Sequence, residues 1–364
     1  MPVTDPLFMD NNATAPLRAE AVAAIHQAMG PPANPSSVHR FGRKARLTVE
    51  EARHAISILV GCRTQDVVFT SGGTEANNLA LSGFAKVITT AIEHDSVLQA
   101  APDAQLLPVH GNGLLDLDNL GAVLDAIPAA DRPQTILSVM AANNETGVIQ
   151  PIAEIAEMAR QAGIAMHSDM VQWLGKSHMD FAALGVDFIS ISAHKIGGPT
   201  GVGALVVRPG MQLTSLIRGG GQEQGRRSGT ENLLGIAGFG AAAQAAFGDI
   251  AHYREMAVWR NAFEAEIGAA AKEVSVFGSA APRLGNTSCL ALDGRMAETL
   301  VMALDIAGVA VSAGAACSSG KVRASHVLTA MGEEEKAKQA IRVSGGWQTK
   351  KADFERLAEV LIAL

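Results

Sequence analysis

The chain is 364 residues long, and at about 150 residues per domain that length points to two domains. Its formal charge of −7, from 29 Lys and Arg against 36 Asp and Glu, argues against a dedicated nucleic-acid surface, which needs clustered positive charge. Charged residues make up 18% and hydrophobic residues 48%. Against the ~25% charged of ordinary globular chains, that balance argues against disorder and suits a large core with a buried subunit interface.

In chain order, residues 17–29 (LRAEAVAAIHQAM) read as a helix stopped by Gly30, Pro31 and Pro32. A Pro/Ser-rich loop covers 31–39, and a long amphipathic helix covers about 43–60. A short strand at 67–69 is followed by a glycine turn and a helix from Thr74. Strands follow near 86–91, 105–109, 135–140, 163–168 and 187–192, mostly with helices between them. That alternation is the signature of a largely parallel α/β sheet. The segment 197–207 (GGPTGVGALVV) runs from a turn straight into a strand, which predicts an antiparallel addition.

A Gly/Arg-rich loop at 219–230 then leads to Ala-rich helices at about 231–247 and 250–272. Beyond 273, strands at 273–277, 286–292, 309–311 and 340–344 alternate with helices at 296–306 and 351–364, and read as a smaller α/β domain. The low-charge stretch Leu233 to Gly248 is cut by glycines and Gln244 and falls short of the ~20 residues of a membrane span. Met1 to Asp10 has no basic region followed by an apolar run, so no signal peptide and a cytoplasmic location are expected.

Three segments carry residues suited to chemistry. TSGGTEANN (70–78) sits where an apolar strand meets a helix. Its glycines and the free N–H groups of the helix start make an anion cradle, although a plain strand-to-helix turn explains it equally well. Asp169 and Lys195 each end an apolar strand, where parallel sheets place their ligand sites. A lysine kept unprotonated by burial can form a Schiff base with an aldehyde, and pyridoxal phosphate wants such a lysine, an acid and a phosphate cradle. A buried Asp–Lys ion pair is the plainer reading.

The third segment is SAGAACSSGK (312–321), a run of small residues with no helix or strand pattern, which reads as a mobile loop presenting Cys317. Cys62 and Cys289 read as small core residues. Three cysteines without a CxxC pair exclude a disulfide framework and a zinc ribbon. The ten histidines show no metal spacing. Among them His94 falls at a strand end and His194 precedes Lys195, while His26 and His54 read as ordinary helix residues.

At this point the residues match a family. MDNNATAPL (9–17), NPSSVHRFGRKAR (34–46), FTSGGTEANNLAL (69–81), NNETGVIQPI (143–152) and HSDMVQWLGK (167–176) resemble segments of the cysteine desulfurases, class V aminotransferases of the fold-type I pyridoxal-phosphate group. SAHKIGGPTGVGALVVR (192–208), GGGQEQGRRSGTEN (219–232), GAACSSG (314–320), SHVLTAMG (325–332) and AIRVSGG (340–346) complete the match in family order. The loop wording around Cys317 resembles the branch related to nitrogen fixation and iron–sulfur assembly and lacks the RxGHxCA form of the other branch.

The resemblance implies a large, mainly parallel mixed-sheet domain over 15–248, and a smaller α/β domain from 1–14 and 249–364 that carries the cysteine loop. It implies pyridoxal 5′-phosphate as cofactor and no metal. Lys195 would carry the cofactor, His94 would stack on its ring and shuttle protons, Asp169 would pair with the ring nitrogen, and Gln172 would bond the phenolic oxygen. Gly73, Thr74, Ser192 and His194 would bind the phosphate, with Thr230 reaching it from the second subunit of a homodimer. Asn144 and Arg342 would hold the substrate carboxylate. Cys317 would take sulfur from L-cysteine as a persulfide, leaving alanine, and pass it to an acceptor protein. An aminotransferase, a selenocysteine lyase and a non-catalytic interaction protein are the alternatives. The chain departs from the family's commoner wording at IGGPT after Lys195, at Met170, and in having a single tyrosine, Tyr253. Family members that dock an iron–sulfur scaffold usually have a longer tail than one ending at Leu364, which leaves scaffold docking open.

Overall fold

The computed structural model describes residues 6–30, 32–270, 273–314 and 324–364. Seven strands form the main sheet in the spatial order Val67–Thr70, Gly203–Val207, Phe188–Ser192, Ala165–Asp169, Thr135–Ser138, Lys86–Thr90 and Gln105–Leu107. The last five are mutually parallel. Gly203–Val207 is inserted antiparallel to both its neighbours, as the missing helix before it predicts. Strands such as VVFT and GALVV are buried at every position and read as nearly unbroken apolar runs, while FISIS, equally buried, alternates isoleucine with Ser190 and Ser192.

Helices cover the sheet. Arg40–Val60 turns Ala45, Val49, Ala52, Ile56 and Val60 inward at helical spacing. His39 caps its start by accepting from the Gly42 N–H at 3.2 Å, and Gly61 closes it in the left-handed region at φ 71°. The Ala-rich helix Leu233–Ala246 packs against it so closely that a Cβ on Gly240 would lie 2.6 Å from that of Ala52. The low charge of this stretch therefore reflects a core helix, with Ile236, Phe239, Ala242 and Ala243 buried. Among the described residues no single helix is long and apolar enough to cross a membrane, and Leu233–Ala246 meets Ile250–Ala270 at a 67° bend.

A second, wholly antiparallel sheet holds Ser312–Ala313, Ala340–Ser344, Thr287–Leu292 and Val274–Phe277, in that order. Its core of Tyr253, Met256, Phe263, Leu290, Ile341 and Phe354 also takes in Leu7 and Met9 from the start of the chain. Leu7–Phe8 pairs in parallel with Val309–Ala310. The short strand Ser312–Ala313 corrects the expectation of a patternless loop from 312 onward, because two residues are too few to show a period and their partners are Arg342 and Ile341. Cys289 is fully buried and Cys62 half-buried against the main core, while His26 and His54 are exposed on their helices.

Candidate active site

The carboxyl ends of the parallel strands open into a cavity of about 580 Å³, closed on the far side by the N-terminal segment and the antiparallel sheet. Gly73, Thr74, His94, Asn144, Asp169, Gln172, Ser192, His194, Lys195 and Arg342 all line it. Thr230 is exposed and does not line it. Cys317 lies outside the described residues, although Gly314 and His326, on either side of segment 315–323, both face the cavity.

Strand ends set the floor. Asp169 is the last residue of its strand and is buried, its Oδ1 accepting from the Val171 N–H at 2.9 Å and its Oδ2 from Asn77 Nδ2 at 2.7 Å. Asn77 stands one turn into the helix Gly73–Leu81, whose first turn carries Gly73 and Thr74. Glycines let the backbone crowd there: a Cβ on Gly203 would sit 2.7 Å from the Gly72 carbonyl carbon, and one on Gly73 would sit 2.8 Å from Val171. His94 caps the short helix Asp95–Leu98, its Nδ1 accepting from the Ser96 N–H at 3.1 Å.

Lys195 closes the turn after the strand Phe188–Ser192 and donates to the carbonyls of Asn12 at 2.6 Å and Ala13 at 2.7 Å. Burial and the Arg342 charge bring its amine from 10.5 down to about 8, so a substantial fraction is neutral at physiological pH. Burial, helped by Lys195, likewise lowers His194 to about 4, leaving a neutral imidazole beside Thr14. Two further buried acids flank the cavity. Glu93 accepts from Thr90 Oγ1 and the Met140 N–H, and burial lifts it to about 8. Glu145 accepts from Ser325 Oγ at 2.6 Å and is raised by burial.

The far wall is built by residues distant in sequence. Arg342 pairs with Asp10 at 2.7 Å and donates to the Asn144 carbonyl at 3.2 Å, while its buried Nε has no partner. Asn12 ties the wall together, bonding Thr287, the Asn144 carbonyl and the amide of Asn286. Sequence reasoning missed Asp10, Asn12, Asn77, Glu93, Glu145, Lys176 and His326. Asn77 had a signal, since it lies one helical turn beyond Thr74 in the same motif. Asp10 and Asn12 lie in a matched segment, but nothing local ties them to Arg342.

A depressed lysine and a strand-end acid converge on a cavity with a glycine-crowded helix start. This donor set fits an aldehyde cofactor that also carries a phosphate and a basic ring nitrogen, as the α/β strand-end architecture allows. The comparisons narrow the class. The aminotransferase class-V family model matches residues 7–357. Curated relatives include the cysteine desulfurase IscS of Dictyoglomus turgidum, 38% identical over 98% of this chain and 93% of that protein, and a cysteine desulfurase of Cereibacter sphaeroides, 40% identical over 98% and 94%. Solved structures include a NifS-like protein from Rickettsia africae, 34% identical with a TM-score of 0.90 over 98% of each chain. A second is SspA in complex with cysteine, 30% identical with a TM-score of 0.79 over 93% of this chain and 98% of that one. The fold is that of the fold-type I pyridoxal-phosphate enzymes. The chain belongs to the class V aminotransferase family and, within it, to the cysteine desulfurases, a group dependent on pyridoxal phosphate.

Proposed function

We propose that the protein binds pyridoxal 5′-phosphate and moves sulfur from L-cysteine onto Cys317, releasing L-alanine and leaving a persulfide for an acceptor protein that serves iron–sulfur cluster or thio-cofactor assembly. The observation that carries this reading is the meeting of the lowered Lys195 amine and the Asn77-held Asp169 carboxylate in one cavity. Lys195 holds the cofactor's aldehyde carbon, a task that needs the neutral amine. Asp169 would pair with the ring nitrogen and hold its proton, and His94 would lie against the ring. Gln172 donates to the phenolic oxygen. Gly73, Thr74, Ser192 and His194 take the phosphate, with Thr230 supplied by a second copy of the chain, so the working form is a homodimer.

Arg342 keeps N–H donors beyond those used by Asp10 and the Asn144 carbonyl, and it binds the substrate carboxylate together with Asn144. When bound, the cofactor supplies an electron sink that makes the substrate sulfur open to attack by a thiolate. The Cβ–S bond of cysteine breaks and a bond from Cys317 to that sulfur forms. Cβ keeps the electron pair and takes a proton, so the step needs no external oxidant or reductant. We assign residues 15–248 to the cofactor-binding domain, residues 1–14 and 249–364 to the smaller one, and the protein to the cytoplasm. The deciding experiment measures alanine from L-cysteine, with and without reductant, for the wild type and Cys317→Ala. Alanine falls to background in the variant while the yellow absorbance of the bound cofactor stays. Alanine formed at the wild-type rate without Cys317 refutes transfer through that thiol.

A further inference from the structure

We propose that Lys176 is a positioning residue for this reaction, holding the Gln172 amide and the Asn12 side chain together so that one Nε2–H of Gln172 stays turned to the cavity. The inference rests on the function proposed above. Lys176 is the one lysine in the buried set among the described residues. Its Nζ donates to Gln172 Oε1 at 2.7 Å and to Asn12 Oδ1 at 2.9 Å. Gln172 Nε2 in turn donates to the Asn12 carbonyl at 3.0 Å. That same carbonyl receives the Lys195 amine at 2.6 Å.

Counting donors and acceptors fixes the arrangement. The Gln172 amide oxygen is taken by Lys176 and one of its two N–H groups by Asn12, so the second N–H is what remains for the cavity that Gln172 lines. Neither Gln172 Oε1 nor Asn12 Oδ1 carries a charge that would call for an ion-pair partner. Full burial, with Lys195 and Arg342 nearby, pushes the Lys176 ammonium well below its ordinary value. Lys176 therefore works as a polar peg and not as a counter-ion. An amine buried at this cost, on two acceptors that both belong to the cavity wall, orients its partners.

The test uses the purified full chain loaded with pyridoxal phosphate. It reads the pH midpoint of the visible absorbance band, which follows the proton on the Lys195–cofactor linkage and needs no turnover. A donor on the phenolic oxygen favours the deprotonated oxygen and lowers that midpoint. Lys176→Met is expected to raise it by about one pH unit, a tenfold change in proton affinity. Gln172→Leu raises it in the same direction, and the double variant goes no further than Gln172→Leu alone. Additive shifts overturn the route through Gln172. Lys176→Arg, which keeps donors for both oxygens, stays with the wild type.

Should Lys176→Met not fold, Lys176→Gln carries the same expectation, being polar but too short to reach both acceptors. The other charged and titratable groups facing Lys195 and Lys176 are Arg342, Asp10, Asp169 and His194, and all are kept in every variant. An unchanged midpoint in a folded, cofactor-loaded Lys176 variant overturns the positioning role and leaves the proposed function standing. A wild type that takes up no pyridoxal phosphate overturns the proposed function, and the positioning role with it.

Discussion

The floor and the far wall of the cavity are built on different principles. The floor comes from the ends of neighbouring parallel strands, and each of its residues is delivered by a local motif: Asp169 and Lys195 close apolar strands, and Gly73 and Thr74 open a helix. The wall is assembled from the two ends of the chain, with Asp10 and Asn12 from the start meeting Asn286, Thr287 and Arg342 from the second sheet. The floor is placed by strand direction alone. The wall exists only once a segment near residue 10 has docked on Ser344, to which Asp10 and Asn12 are both tied. The difference teaches that the groups proposed above for cofactor and for substrate are set by different parts of the fold.

That separation can be broken experimentally. Arg342→Gln removes a charged donor from the wall, and hydrogen bonds to charged groups are worth about 1.5–3 kcal/mol. The expected loss in kcat/KM for L-cysteine is on the order of 10- to 100-fold, with the cofactor absorbance unchanged. Loss of cofactor from this variant would erase the division between wall and floor. Asn77→Ala acts on the floor, removing the 2.7 Å donor to Asp169. It is expected to weaken pyridoxal-phosphate affinity by about tenfold, read by titration of the apoprotein, while KM for L-cysteine in the loaded enzyme holds steady.

The smallest effect on activity is expected from Glu93→Gln, which mimics the protonated acid that burial already enforces near neutral pH. Its signature is in stability. A carboxyl whose folded value is raised to about 8 favours the folded state at low pH, and that contribution is lost as pH rises from the ordinary glutamate value to about 8. Denaturant unfolding of variant and wild type should therefore agree near pH 4, then diverge in favour of Glu93→Gln, and level off above about pH 8. Parallel stability curves at all pH values would mean that Glu93 ionises freely.

The legible part of the site is the part with short-range signals. The antiparallel insertion at Gly203–Val207 follows from a strand with no helix before it, and Lys195 stands out as a lysine at the end of a buried run. Lys176 carries no such local signal, and its place shows only where Asn12 and Gln172 accept from it. Ser312–Ala313 stayed hidden because pairing and not periodicity makes it a strand. Glu93 is adjacent to His94 in sequence, yet its carboxyl turns inward to Thr90 and the Met140 N–H.

By itself the sequence determined the alternation of buried strands and amphipathic helices, the strand-end placement of Asp169 and Lys195, and the family to which the chain belongs. Apolar period, turn chemistry and motif order are local properties, so they are written in the chain itself. The tertiary structure decided which side chains share one cavity, that Arg342 is held by Asp10, and that the Lys195 amine is lowered to about 8. Burial and the distance between charges set those quantities, and both come into being only when segments hundreds of residues apart are packed together.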